Sequence, residues 1–185
     1  MKLILPKTFF EITAIDLPLF FLMGPDSGGG RWRDRFCPEL ARHLSDFIAV
    51  LPCRHWSSAD SLYPHYWYGK EVNCRQTVWE RHYLDITLKL SRCHKACLVA
   101  WLPEEDKKFP REGKGPYARE TYGELGRFVK AASLTGGKII IGGEEKFPGL
   151  SQIQENARLD FGLSEFPIFT TLEETAAAAA QWVKV

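Results

Sequence analysis

The chain reads as a doubly wound α/β domain, with a mostly parallel sheet of about five strands in a flavodoxin-like or Rossmann-like arrangement. Three observations predict it. Short apolar runs alternate with longer amphipathic segments over most of the chain, the signature of a parallel sheet covered by helices. The first long apolar run, Leu17 to Met23, is continuous rather than alternating, as in a strand buried on both faces. Glycine or proline closes nearly every such run.

The elements follow in order. The Leu17–Met23 strand ends in Gly24-Pro25 and a glycine-rich loop, Ser27-Gly28-Gly29-Gly30. A helix is expected from Trp32, with Phe36, Leu40, Leu44 and Phe47 on one face, and Phe47 to Leu51 forms a second strand stopped by Pro52. Cys53 to Asn73 has loop character and is rich in aromatic residues, which suits either a lid or a subunit contact. Trp79, Tyr83, Ile86 and Leu90 fall at helical spacing between Thr77 and Arg92. Ala96 to Leu102 is the next strand, ended by Pro103, and the charged stretch Glu104 to Gly115 reads as an exposed loop. A third helix from Tyr117 to Ser133 presents Leu125, Phe128, Val129 and Ala132 inward and is stopped by Gly136-Gly137. Lys138 to Ile141 is a β-branched strand closed by Gly142-Gly143. Ser151 to Arg158 is a short helix and Phe166 to Phe169 a last strand. Thr170 and Thr171 suit the cap of a final helix whose first turn holds Glu173 and Glu174, and alanines 176–180 favour helix by propensity. The segment before Leu17 is left as an added arm or edge strand.

Composition narrows the function. With 185 residues, 45% hydrophobic and 25% charged, the chain suits a single domain spanning 1–185. A net charge of +1 provides no broad basic face for a nucleic-acid polymer, although a single nucleotide needs only a few donors. No apolar run approaches the ~20 residues of a membrane span, and the start lacks a signal-peptide layout. The five cysteines are scattered and include no C-x-x-C pair, so reduced thiols in a cytoplasmic protein are expected. Cys93, His94 and Cys97 lie close together, but a structural zinc site wants a second ligand pair, and no metal is expected.

Three places can carry chemistry at the carboxyl ends of the strands, where open α/β sheets bind ligands. The Gly24–Gly30 loop lets backbone N–H groups approach a ligand at a helix start, yet it matches neither G-x-G-x-x-G nor a P-loop. That missing fingerprint speaks against a flavin or dinucleotide protein. In Tyr117-Ala118-Arg119-Glu120-Thr121-Tyr122-Gly123-Glu124-Leu125-Gly126, small neighbours flank the Glu124 carboxylate near the mouth of the sheet. In the helix from Thr77, Trp79 and Tyr83 form an apolar stripe, while Glu80 and Asp85 offer an acid or a hydroxyl contact. No histidine pairs with a serine or cysteine to suggest a triad.

At these residues the sequence resembles the nucleoside 2-deoxyribosyltransferase family, particularly its longer branch. Three blocks carry the likeness: Phe21-Leu22-Met23-Gly24-Pro25 leading to Trp32; Trp79-Glu80 with Tyr83-Leu84, running into Cys97 to Pro103; and Tyr117 to Thr121 leading to Glu124-Leu125-Gly126. Their order and separation span Leu17 to about Ser151. The resemblance implies an oligomer with active sites near subunit contacts and no metal or organic cofactor. It implies that Glu124 attacks the anomeric carbon of a deoxynucleoside, forming a glycosyl ester that a second base or water resolves with retention. Asp85 or Glu80 would then protonate the leaving base, with Asp85 preferred. Gly24, Pro25, Trp32, Trp79 and Tyr117 would hold the base or sugar. The polar residue that follows the next strand would be Ser151, with Asn156 second. One departure stands out: shorter members carry an aspartate six residues before the nucleophile, and here that position is Ala118. Three readings are thus expected: a deoxyribosyl transferase, an N-glycoside hydrolase of nucleosides or nucleotides, or a non-catalytic nucleotide-binding or sensing module.

Overall fold

The computed structural model describes residues 1–9, 17–53, 70–71, 73–108 and 115–184. Five strands, β1 (Lys2–Ile4), β3 (Leu19–Met23), β4 (Ile48–Val50), β6 (Ala96–Leu102) and β7 (Ile139–Gly143), join β8 (Ile168–Phe169) in one six-stranded sheet of order β1-β4-β3-β6-β7-β8. Every pairing in it is parallel. The expected sheet is therefore present, and β1 is its added edge strand. A short antiparallel pair, β2 (Thr8–Phe9) with β5 (Lys70–Glu71), lies apart from it. Most of the expected 53–73 loop lies outside the described residues, as does the second half of the 104–115 loop.

The helices are α1 (Trp32–His43), α2 (Gln76–Ser91), α3 (Arg119–Thr135), α4 (Leu150–Phe161) and α5 (Leu172–Trp182). The pleat of the sheet sorts the core into two layers, because successive side chains point to opposite faces. Leu19, Phe21, Met23, Leu98 and Ala100 pack with Trp79, Tyr83, Leu125 and Phe128, so α2, α3 and α4 cover that face. Phe20, Leu22, Val99 and Trp101 pack with Trp32, Phe36, Leu40, Ala176 and Ala179, which places α1 and α5 on the other. All seven residues of β6 are buried, as a central parallel strand requires.

Local chemistry bounds α3 and α5 near where expected, whereas α1 stops at His43, short of Leu44 and Phe47, and α4 continues past Arg158 to Phe161. Gly136, at φ 70°, closes α3 with its N–H on the Ala132 carbonyl. At the start of α5 the Glu174 N–H donates to Thr171 Oγ1 at 3.1 Å, and the Glu174 carboxylate accepts from the Thr170 and Thr171 N–H groups, a complete capping box. The alanine run has a packing purpose as well as a propensity: Ala176, Ala179 and Ala180 are buried against the sheet, so α5 rides close to it. At Gly142 a Cβ would collide with Thr175 Oγ1 and sit 2.8 Å from Trp101 Cε3. Gly142→Ala is therefore expected to destabilise the protein by about 2–3 kcal/mol through overpacking, seen as a lower midpoint in urea with an unchanged slope.

Candidate active site

The chain leaves β3 for β4 on one side and then crosses to β6 on the other. The carboxyl ends of β3 and β6 thus flank a topological switch point, the place where a doubly wound sheet opens a crevice. The loops after both strands, the first turns of α2 and α3, and the turn before α4 all converge at this end of the sheet.

The loop after β3 is fixed from several sides. Gly24 has φ 148°, and a Cβ there would strike the Trp101 carbonyl oxygen and lie 3.0 Å from the Trp32 ring, so only glycine fits. The Trp32 indole N–H donates to the Pro25 carbonyl at 3.1 Å. Arg33, 4% exposed, reaches back around the strand end: Nε donates to Leu22 O at 3.1 Å, Nη2 to Gly24 O at 2.8 Å, and Nη1 lies 3.6 Å from the Asp26 carboxylate. The Asp106 N–H donates to Gly28 O at 2.7 Å, stitching this loop to the one after β6. There the Tyr117 hydroxyl donates to Pro103 O at 3.0 Å, with its ring against Phe147, and the Glu104 N–H donates to the Glu144 carboxylate at 2.7 Å.

Ala118, in the left-handed region at φ 57°, leads into α3, and Glu124 follows in the helix's second turn. Its carboxyl group is half-buried. Burial pushes it up to about 7, the like charges of Glu80 on α2 and Glu120 on α3 add to the rise, and the Arg33 guanidinium opposes it. Two carboxyl groups and one arginine, drawn from α1, α2 and α3, therefore act on Glu124 at the switch point. Glu80 is itself held by the Gln76 side-chain amide, which donates to it at 2.7 Å.

The other expected residues sort by this geometry. Glu80 and Asp85 are five positions apart on one helix, hence about 140° apart around its axis, and cannot both face Glu124. Asp85 is exposed, and its charge is felt by His82, which burial lowers and Asp85 raises. Of the two, it is Glu80 that stands beside Glu124. Trp32 and Trp79 are wholly buried and Tyr117 is 6% exposed. Their polar ends are spent on the framework, Trp79 donating to Thr8 O at 2.7 Å just as Trp32 and Tyr117 hold loop carbonyls. Ser151 is exposed at the start of α4 and lines an open cleft of ≈ 430 Å³ with Glu145, Phe147, Leu150 and Gln154. Tyr122 leans on Phe147 and donates to the Pro148 carbonyl on that side, whereas Glu124, two residues on, points about 160° away. Asn156 accepts from Gln152 on the exposed face of α4. Cys93 is exposed, Cys97 is buried, and His94 stacks on Trp182 with ring centroids 4.0 Å apart. Among the described residues no group of His, Cys, Asp and Glu is placed to hold a metal ion, and no helix is long and apolar enough to cross a membrane.

Arg33 is the residue that the sequence reading passed over. It shares the buried stripe of α1 with Phe36, Cys37 and Leu40, and a cation on an apolar stripe next to a strand end is the signal that marks it.

A comparison of the chain with models of protein families finds no match, and neither does one with curated proteins.

The raised carboxyl of Glu124 has a cost that can be read in stability. A glutamate ordinarily titrates near 4.5, so the native state binds the extra proton more tightly than the unfolded chain does. Stability from this group is full below about pH 4.5 and is lost as pH rises through about 7. Glu124→Gln removes the penalty. It is expected to match the wild type at pH 4 and to exceed it by roughly 1–3 kcal/mol at pH 8, measured by urea unfolding at both pH values.

Proposed function

We propose that the protein transfers a 2-deoxyribosyl group between nucleobases by way of a covalent ester on Glu124. The observation that carries this reading is Glu124 itself, half-buried at the switch point and held near neutrality between Glu80, Glu120 and Arg33. A carboxyl group so placed passes between acid and nucleophile within the working pH range. It supports the nucleoside 2-deoxyribosyltransferase-like chemistry that the Glu-Leu-Gly block suggests.

In the proposed reaction, ionised Glu124 attacks the anomeric carbon while the bond from that carbon to the base nitrogen breaks. The departing base keeps the electron pair and takes a proton from water. A nitrogen of the incoming base then attacks the same carbon, releases Glu124, and gives up its proton to water. Two inversions give net retention. The Gly24–Gly30 loop and Tyr117 form the walls of the crevice, and Trp32 and Trp79 brace it from behind. The protein works without an organic cofactor or metal, on a small nucleoside or nucleotide and a free base. It functions as a homo-oligomer with active sites near subunit contacts. Free thiols at all five cysteines accord with a cytoplasmic setting.

Hydrolysis is the second reading, because the partial exposure of Glu124 leaves water a path to the ester. One experiment separates the possibilities: chromatography of the protein with a panel of deoxynucleosides and deoxynucleotides, with and without a different free base. A new nucleoside that requires the added base establishes transfer, and base release without exchange establishes hydrolysis. Ligand binding with no turnover of any substrate points to a sensor and ends the catalytic reading. Glu124→Ala is expected to reduce turnover by about 10³-fold or more. In the wild type, kcat/KM is expected to fall about tenfold per pH unit below 7 and to level off above it.

A further inference from the structure

Trp32, Trp79 and Tyr117, all buried at this end of the sheet, each give their polar atom to a backbone carbonyl. Trp101 does not. It is 2% exposed, and its Nε1 is the one buried side-chain nitrogen or oxygen among the described residues that has no hydrogen-bond partner. Such a donor is rare in native proteins, because it forfeits the hydrogen bond that water would give it. Trp101 is the last residue but one of β6, and its carbonyl leaves no room for a Cβ at Gly24, where the glycine loop begins. The six-membered ring is turned to Gly142 on β7: Cε3 and Cζ3 would lie 2.8 and 2.9 Å from a Cβ there, with Thr175 Oγ1 standing over the same edge. Nε1 is on the opposite long edge of the indole, so it faces away from β7, on the side of β3 and α1. The side chains packed on this face, Leu22, Trp32, Phe36 and Val99, supply no acceptor.

We propose that Trp101 is a substrate-binding residue of the crevice, its indole N–H kept for an acceptor atom of the nucleobase. The inference rests on the reading of the crevice as a nucleoside or nucleotide site. An indole N–H only donates, so the atom that it takes is a ring nitrogen or a carbonyl oxygen of the base. The apolar surroundings suit a flat neutral base better than a phosphate, which would lose its water there without a free cation to meet it. The Arg33 guanidinium, 4.4 Å over the Trp32 ring, is already held by the Leu22 and Gly24 carbonyls and by Asp26. Nε1 is closed off from solvent, so the base gains it only as Gly24 and the loop that follows shift away from β6. With the base on this side, the sugar lies across the end of β6 toward α3 and Glu124.

The test is a proton–nitrogen-15 NMR spectrum of the six tryptophan indoles in the intact protein, the Trp101 signal being assigned through its own backbone. Deoxynucleosides, deoxynucleotides and free bases are titrated singly, with 2-deoxyribose 5-phosphate as the probe that lacks a base, and Kd is read in parallel by calorimetry. In the free protein the Trp101 indole proton is expected upfield of the hydrogen-bonded protons of Trp32 and Trp79. Saturation with a base-bearing probe moves it downfield toward them, and deoxyribose 5-phosphate leaves it in place. Trp101→Phe keeps an aromatic ring beside Gly142 but removes the donor, and it is expected to weaken binding of that probe about tenfold. A Trp101 proton already as far downfield as that of Trp32 in the free protein overturns the proposal, since a buried water then holds it. A base-bearing probe that binds without moving the signal overturns it too, as does a shift produced by deoxyribose 5-phosphate alone. If Trp101→Phe does not fold, the wild-type titration decides. A shift without turnover of any substrate leaves the role of Trp101 standing and withdraws only the transfer chemistry, whereas turnover with an unmoved signal does the reverse. If no probe binds, the proposal falls together with the reading on which it rests.

Discussion

A guanidinium buried at the carboxyl end of the central strand is the constraint around which the crevice is arranged. Taking an arginine out of water costs several kcal/mol unless its donors are met. Arg33 meets that cost with the carbonyls of Leu22 and Gly24 and with Asp26. Those three partners lie on the strand end and the loop that follows it, so satisfying the charge also sets the path of the loop. Gly24 is then forced: with the chain turned at φ 148° against the Trp101 carbonyl, no side chain has room. The register of β3 on β6, Leu19 opposite Ala96 through Met23 opposite Ala100, brings Gly24 up against Trp101 in the first place.

The same arginine joins the two faces of the sheet. Its helix packs with α5 on one side, while Glu124, whose rise its charge opposes, belongs to α3 on the other. Only at the end of a strand can a side chain from one layer reach groups in the other, because the sheet itself separates them elsewhere. The switch point matters for that reason as well as for its opening. It lets a cation from α1 temper the rise that burial and the charges of Glu80 and Glu120 impose on the Glu124 carboxyl.

Much of this architecture was legible in the sequence. Continuous apolar runs ending in glycine or proline marked β3, β6 and β7, and Thr171 with Glu174 marked the start of α5. These signals are local, carried by propensity, burial on both faces and capping. The pairing of β2 with β5 had no such signal, since two residues per strand show no period. Glu124 and Glu80 were both singled out in the sequence as candidates, whereas the preference for Asp85 came from the resemblance, and the helix turns Asp85 away from Glu124 into an exposed position. Five residues make about 140° of turn, and angle decides which carboxylate meets α3. Arg33 was hidden because charge ordinarily reads as surface. Its place on the stripe with Phe36 and Leu40 argued otherwise.

The aromatic residues make the same point from the other side. Trp32, Trp79 and Tyr117 invite a reading as stacking surfaces for a base, yet each is buried and each spends its polar atom on a backbone carbonyl. An indole or phenol in this position acts as a brace, its ring filling the core while its N–H or O–H answers a carbonyl that has left the regular hydrogen-bond ladder. Carbonyls of that kind are plentiful where the strands end and the loops begin. Aromatic residues with one polar atom therefore collect at the crevice for structural reasons, and their presence there identifies the rim of a site before it identifies a ligand. Glu124 differs from these braces in kind, because burial works against its charge and, among the described residues, no hydrogen bond to the framework answers for it in the way the carbonyls answer for the aromatic rings.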